Sequence, residues 1–253
     1  MDVILVDGKN LAYRAHHTRP YLSSQGRPTS VISGFTSILL GVARKYPGAS
    51  FIIVWDGNGK TWRHTLMEEK KKRFRSMVAL AASQGVSQTR IEKDLGRSYK
   101  GNRGVAHRSE VHEIVHDQIP ILRQFLMGLG IWNVQVDGLE ADDLIGILSH
   151  YLPEKCRVDK VVVYSGDRDF FQLMSDRILI WRPQKGERNP SIVTPKEVQD
   201  DFGIRVQDWI KYRALIGDPT DNIPNVRFRV GPKTAQQLLA EGLDASCETF
   251  ENL

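Results

Sequence analysis

Three short runs of β-branched and aromatic residues each lead into an aspartate along this chain. Residues 3–6 lead into Asp7, residues 51–55 into Asp56, and residues 160–164, through a Ser-Gly pair, into Asp167. Continuous apolar runs of this length are typical of buried strands. A helical pattern over residues 30–45 separates the first two runs, and such alternation predicts an α/β fold with a parallel sheet flanked by helices.

Further elements extend this pattern. Residues 177–181 predict another strand, and residues 134–136 predict a weaker one. Residues 195–201, 206–217 and 232–241 predict short helices, the first preceded by Thr194 and Glu197 in the spacing of a capping box. We therefore expect a first domain over residues 1–185 and a helical subdomain over residues 186–253.

The carboxyl ends of parallel strands share one edge of a sheet, and ligands bind in the crevice beyond them. A single aspartate there is more often a turn residue or a helix cap. Three of them at one edge favour a functional site. Six further acids lie in short clusters elsewhere in the chain, which gives a candidate set of Asp7, Asp56, Glu140, Asp142, Asp143, Asp167, Asp169, Asp218 and Asp221.

The segment Gly138–Asp143 (GLEADD) is predicted to open a helix, with Glu140 and Asp143 three apart on one face. Acids in a first turn also suit the helix dipole, which is the simpler explanation for one or two of them. If all nine acids converge, their mutual repulsion requires bound cations. Ligand sets of oxygen alone suit Mg²⁺ or Mn²⁺ rather than zinc.

Charge is unevenly distributed along the chain. Residues 60–108 carry 13 Lys and Arg against four acids, a net charge of +9, which leaves −4 on the rest of a chain whose total is +5. This segment is either a solvated insertion or an arch that contacts phosphates, and the two can coexist. The chain has two isolated cysteines, and its sequence shows neither a signal peptide nor an apolar run long enough to span a membrane. These features predict a cytoplasmic protein.

The ordered blocks VDGKNLAYR, WDG, SYKGNR, GLEADD, SGDRD, GDPTDNIP and VGPKTA resemble the 5′→3′ exonuclease and flap endonuclease family, most closely its phage and bacterial branch. The resemblance covers nearly the whole chain. It implies a PIN-like domain with a helical arch over about residues 60–118, followed by a helix–three-turn–helix subdomain. The implied activity is structure-selective 5′ cleavage of phosphodiester bonds by a two-metal-ion mechanism in replication or repair, with possible removal of RNA primers.

The resemblance also implies residue roles. Two Mg²⁺ ions are expected, with Mn²⁺ as a substitute. The first would be served by Asp7, Asp56, Glu140, Asp142 and Asp143, and the second by Asp143, Asp167, Asp169, Asp218 and Asp221. Lys100 and Arg103 would stabilise the scissile phosphate beside the shared ligand Asp143, and Tyr99 could stack on an unpaired base. The remaining expected DNA contacts are Arg14, Arg227, Arg229, Gly231 and Lys233.

Two departures from the family pattern stand out. About 35 residues separate Arg63-His64 from Tyr99, where the family has a short gap, so the arch is extended or rearranged. The hairpin before Lys233 is one residue longer than the family's and lacks two of its glycines. Potassium binding at this hairpin is therefore not a firm expectation, and Arg227 and Arg229 are the alternative source of positive charge.

Two other functions remain open from the residues alone. One is a DNA-binding module that has lost catalysis, and the other is a PIN-type ribonuclease without flap selectivity. The intact set of nine acids argues against a DNA-binding module without catalysis. The predicted helical module over residues 186–253 argues against a PIN-type ribonuclease. We expect a monomer that acts on DNA with 5′ ends, flaps or RNA primers, with replication proteins as possible partners and no membrane association.

Overall fold

A six-stranded sheet forms the centre of the first compact unit. The computed structural model describes residues 1–18, 26–69, 72, 76, 110–183, 191–219, 223, 225 and 230–242. The strands are β1 (Val3–Asp7), β2 (Ser50–Trp55), β3 (Trp132–Gln135), β4 (Val161–Tyr164), β5 (Ile178–Arg182) and β6 (Ser191–Val193). Their order is β3-β2-β1-β4-β5-β6, and all neighbours are parallel except the antiparallel β5–β6 pair. The predicted α/β sheet is confirmed.

Helices cover both faces of the sheet. They are α1 (Gly8–Thr18), α2 (Ser30–Lys45), α3 (Glu110–Gly128) and α4 (Ala141–Lys155). On one face, the side chains of Ile4, Val6 and Trp55 join buried residues of α1, α2 and α3 in one apolar cluster. The alternate strand residues, such as Leu5 and Val163, are equally buried, and α4 contacts β1, β2 and β4. Since side chains alternate along a strand, α4 covers the other face.

Most predicted elements lie where the pattern places them. The helix over residues 30–45 matches α2, and the strong strands match within one or two residues. The weak strand predicted at residues 134–136 begins two residues earlier, at Trp132. Helices α1 and α3 and strand β6 were not predicted. No helix in the described ranges is both long and apolar enough to cross a membrane.

The second compact unit comprises residues 59–106 and 198–253, while the first comprises residues 1–58 and 107–197. Within the second unit, residues 62–69 are helical. It also contains α6 (Trp209–Ile216), preceded by a 3₁₀ turn at Val206–Asp208, and α7 (Pro232–Ala240), which contacts α6. Helix α5 (Pro195–Phe202) begins in the first unit and is capped as predicted: Thr194 N–H and Oγ1–H donate to Glu197 Oε2, and Glu197 N–H donates to Thr194 Oγ1.

Candidate functional site

Asp7 is the last residue of β1, and both of its carboxylate oxygens are held by neighbours. Oδ1 accepts a hydrogen bond from the backbone N–H of Asn10 at 3.0 Å. Oδ2 accepts one from the Ser165 hydroxyl at 3.2 Å. Ser165 directly follows β4, which is paired with β1 up to the Val6–Tyr164 position. The parallel register therefore brings the residues after β4 beside the end of β1, as the sequence predicts.

Asp56 directly follows β2 and links that strand to two other elements. Its Oδ1 accepts from the backbone N–H of Ala141, the first residue of α4, at 3.0 Å. Its Oδ2 lies 2.9 Å from the ammonium nitrogen of Lys9 in α1. The side chains of Lys9 and Asp56 remain 50% and 39% exposed, so this ion pair stays within reach of solvent and of a substrate.

Gly57 allows the loop after β2 to press against the loop before α4. A Cβ atom at this position would lie 2.0 Å from the carbonyl oxygen of Val136, which is far inside van der Waals contact. The Gly57 N–H donates to the Leu139 carbonyl at 2.9 Å, and the Asn58 N–H donates to Asp137 Oδ1 at 2.9 Å. These contacts bring the acid-rich start of α4 beside Asp56.

The acids at the start of α4 differ from the predicted arrangement. The helix begins at Ala141, and Glu140 is its extended N-cap residue (φ −84°, ψ 160°), so Glu140 and Asp143 do not share a helical face. Asp143 Oδ2 instead accepts from the Glu140 N–H at 3.1 Å, and Asp142 Oδ1 accepts from the Asp143 N–H at 2.8 Å. Glu140 and Asp143 therefore form a reciprocal capping box, in which the Glu140 side chain also accepts from the Asp143 N–H. Glu140 is only 8% exposed.

The SGDRD segment forms a tight loop after β4. Asp167 caps a 3₁₀ helix over Arg168–Leu173, with its Oδ1 accepting from the Asp169 N–H at 2.9 Å. The Asp167 N–H points back to the Ser165 hydroxyl at 3.2 Å. Ser165 thereby connects Asp7 to the Asp167 loop.

The electrostatics of Asp7 show that carboxylates from three strand ends are neighbours. The pKa of Asp7 is raised to about 6, mainly because burial disfavours the charged form. The negative charges of Asp56 and Asp167 contribute to the rise, while the hydrogen bonds from Asn10 and Ser165 oppose it. A carboxylate destabilised by burial and by like charges is stabilised by a bound cation.

The acids are not preassembled as a ligand set. Within the ranges that the structure describes, no group of three or more Asp, Glu, His or Cys side chains is arranged to hold a metal ion as it stands. The donor chemistry nevertheless fits Mg²⁺, which binds through one or two carboxylates and keeps several waters.

The two acids predicted from the GDPTDNIP block lie in the second unit. Asp218 Oδ2 is 2.7 Å from an Arg213 guanidinium nitrogen, and the Asp218 backbone pairs with Ile223 through two 2.8 Å hydrogen bonds. Asp221 lies outside the described residues. Metal binding by Asp218 and Asp221 therefore stays a prediction.

Most of the predicted DNA contacts also lie outside the described residues: Tyr99, Lys100, Arg103, Arg227 and Arg229. Arg14, on α1, hydrogen-bonds the hydroxyl of Tyr164, where burial raises the pKa of the tyrosine and Arg14 lowers it. Gly231 is the N-cap residue of α7, and Lys233 is exposed in its first turn.

Three residues at this sheet edge were missed in the sequence. Lys9 pairs with Asp56, Ser165 binds Asp7, and Asn10 accepts a hydrogen bond from the Gly166 N–H at 3.1 Å. All three lie within the quoted VDGKN and SGDRD blocks. Their position two or three residues from a strand-end aspartate is the signal that could have identified them.

Comparison with known proteins places these observations in a family. The family model of the 5′-3′ exonuclease, N-terminal resolvase-like domain, matches residues 2–203. A thermostable DNA polymerase I from Thermus filiformis is 32% identical over 94% of this chain, which spans only 24% of that protein. A 5′-3′ exonuclease from Buchnera aphidicola is 30% identical over 94% of this chain and 69% of its own length.

A solved structure shares the fold. The bacteriophage T5 flap endonuclease, in a pseudo-enzyme–product complex with DNA and metal ions, superposes with a TM-score of 0.66 at 19% identity. The match covers 100% of this chain and 83% of the phage protein. At this identity the similarity establishes the PIN-like fold.

Proposed function

The chain belongs to the 5′→3′ exonuclease family, and from that premise we propose that it is a structure-selective 5′ nuclease acting in DNA replication or repair. Its substrates are DNA with 5′ ends or flaps, including RNA-primed 5′ ends. The reaction is hydrolysis of a phosphodiester bond near the 5′ terminus. The relatives support this proposal through their names, which describe a 5′-3′ exonuclease and a flap endonuclease bound to DNA and metal ions.

The meeting of Asp7, Asp56 and Asp167 at one sheet edge carries the proposal. These three would hold divalent cations together with Glu140, Asp142, Asp143 and Asp169, and Asp218 and Asp221 remain further ligands expected from the sequence. Two such cations supply Lewis-acid stabilisation of the charge that develops on the phosphate. The raised pKa of Asp7 supports cation binding here, because a nearby positive charge would relieve the repulsion among these carboxylates.

Several residues of the chain would orient the substrate. Lys9 places a half-exposed ammonium group beside Asp56, where it can bind a phosphate oxygen once a cation takes over that carboxylate. Lys100 and Arg103 are proposed to contact the scissile phosphate. The basic segment over residues 60–108 would attract the DNA polyanion toward a site that is acidic without its cations.

Hydrogen bonds hold the carboxylates of Asp7 and Asp56 in fixed orientations even without a metal ion. Ser165 and the Asn10 backbone hold the Asp7 carboxylate, and the Ala141 N–H holds Asp56. Such preorganised groups cost little to position at the moment of reaction.

The proposal is tested by measuring cleavage of three end-labelled substrates: a 5′-flap duplex, a nicked duplex and an RNA-primed duplex. Each is incubated with and without Mg²⁺. We expect Mg²⁺-dependent products from the native chain and a loss of at least about 100-fold in rate for Asp7→Asn and Asp167→Asn. Asp176→Asn, an exposed acid in the turn before β5, is the matched control and should cleave normally. A native chain that binds the flap in Mg²⁺ without cutting it would overturn the proposal.

A further inference from the structure

A histidine pair near the start of α3 plays no part in the acid site at the sheet edge. His112 and His116 are the first and last residues of the segment HEIVH. Residues four apart lie on one face of a helix. Two histidines in the spacing H-E-x-x-H bind zinc when the segment is helical. The whole segment lies within α3 (Glu110–Gly128), so that condition is met.

The two imidazole rings are neighbours in the structure. Their centres lie 5.5 Å apart, and the ring planes are tilted by 52°. Two imidazoles on one tetrahedral zinc ion, with Zn–N bonds of about 2.0–2.1 Å, have their ring centres roughly 5 Å apart. The observed spacing is therefore close to that of a pair that shares one ion.

Tyr13 on α1 orients one of these rings. Its hydroxyl hydrogen-bonds Nδ1 of His112, and its own ring stacks on the imidazole with centres 6.3 Å apart. When Nδ1–H donates to the tyrosine oxygen, the lone pair that can bind a metal is on Nε2. A hydrogen bond to the other ring nitrogen is how proteins usually orient a ligating histidine. His112 is thus held in position by a second helix.

The surroundings of the pair favour a cation of a particular class. His112 is half-buried and His116 is exposed, so an ion can enter from solvent. Glu113 and Asp117 are exposed beside the two histidines along the helix and add negative charge. Imidazole nitrogens suit Zn²⁺, Cu²⁺ and Ni²⁺, whereas carboxylate and water oxygens suit Mg²⁺ and Mn²⁺. The pair therefore selects ions other than those expected at the acid site.

The pair supplies two protein ligands. Within the ranges that the structure describes, no third His, Cys, Asp or Glu side chain completes a ligand set around it. Hydrolytic zinc centres have three protein ligands and one open position. Water would fill the remaining positions around an ion at this pair, which makes it a binding site and gives it no reaction.

We propose that His112 and His116 chelate one divalent cation of the zinc class. The bound ion fixes the start of α3 against α1 through the hydrogen bond between Tyr13 and His112. An ion that binds the folded chain in preference to the unfolded one also stabilises the fold. The site is independent of the proposed nuclease function, because it uses none of the nine candidate acids.

Electron paramagnetic resonance of Cu²⁺ added to the full chain tests the site, because ligating nitrogen atoms split the Cu²⁺ signal and carboxylate oxygens do not. We expect splitting by two nitrogens in the native chain. His112→Ala and His116→Ala should each remove one of them and weaken binding at least about tenfold. His150→Ala is the matched control, since His150 is exposed on α4, and it should bind as the native chain does.

Thermal unfolding with and without Zn²⁺ gives a second measurement. Zn²⁺ should raise the midpoint more for the native chain than for His116→Ala, and any binding to the acids cancels in this comparison. Tyr13→Phe keeps both imidazoles but loses the orienting hydrogen bond, so its Cu²⁺ affinity should lie between those of the native chain and the alanine variants.

Two results would count against the site. Absence of nitrogen splitting in the native chain, or equal Cu²⁺ affinity in the native chain and both alanine variants, would overturn it. Native affinity in Tyr13→Phe would overturn the role of Tyr13. No DNA is present in these measurements, so a chain that binds Cu²⁺ as expected but cuts no flap would keep this site and lose the nuclease.

Discussion

Asp7 combines three conditions at a single carboxylate: partial burial, fixed hydrogen bonds and two negative neighbours. Burial and the charges of Asp56 and Asp167 raise its pKa to about 6, while Asn10 and Ser165 oppose the rise. In the cation-free protein, the folded state therefore binds a proton at Asp7 more tightly than the unfolded chain does. This residue is a local source of instability that a bound cation would remove.

That shift predicts a pH dependence of stability with a definite sign. Because the folded pKa lies above the ordinary value of 3.8, the folded state carries more protons between pH 4 and 6, and the contribution of Asp7 to the unfolding free energy falls as pH rises through this window. The loss is at most about 3 kcal/mol. Asp7→Asn should remove it, so without metal the variant should be more stable than the native chain at pH 7 but not at pH 4.

Denaturant unfolding in EDTA at both pH values measures this difference. Comparing the variant with the native chain cancels the pH responses of the other titrating groups. A variant less stable than the native chain at pH 7 would show that the Asp7 carboxylate is not destabilised in the folded state.

At the scale of elements, the loops that join strands to helices bring the acids together. The loop after β2 and the loop before α4 are tied by the Gly57–Leu139 and Asn58–Asp137 hydrogen bonds. Asp56 then caps the first N–H of α4. Asp56 and Glu140, far apart along the sequence, are thus brought together by hydrogen bonds from backbone N–H groups to the Leu139 carbonyl and to the Asp56 and Asp137 carboxylates.

Gly57 makes that approach possible, so Gly57→Ala should destabilise the chain. The added Cβ would meet the Val136 carbonyl at 2.0 Å, and relieving such a contact costs about 3 kcal/mol. Gly41→Ala is the matched control: Gly41 lies in α2 with nothing within 4 Å of an added Cβ, and alanine there should stabilise by about 0.5–1 kcal/mol. Thermal unfolding of both variants checks the pair. Equal effects of the two substitutions would contradict the close approach of the loops.

How far the sequence predicts these elements depends on local signals. Strands β1, β2 and β4 are continuous apolar runs, and each could be predicted because both sheet faces are covered. Helix α1 was not predicted because most of its buried residues are small and its other positions are largely polar. Helix α3 was not predicted because Pro120 interrupts its helical pattern. Strand β6 has only three residues and owes its pairing to β5.

At the scale of the whole molecule, the first-unit acids could be predicted because strand order carries them to one edge. Asp7, Asp56 and Asp167 follow neighbouring strands, so the sheet alone brings them together. The capping box between Glu140 and Asp143 could not be predicted, since it depends on where α4 begins. The roles of Asp218 and Asp221 depend on long-range placement that no local pattern contains, and they remain predictions.

The most direct measurement is Mn²⁺ binding to the full chain, followed by electron paramagnetic resonance. Mn²⁺ takes the oxygen ligands expected for Mg²⁺ and reports occupancy without any substrate. We predict that Asp7→Asn, Asp56→Asn and Asp167→Asn each weaken binding about tenfold or more, while Asp176→Asn binds as the native chain does. Equal Mn²⁺ affinity in all four variants and the native chain would contradict a cation site at this sheet edge.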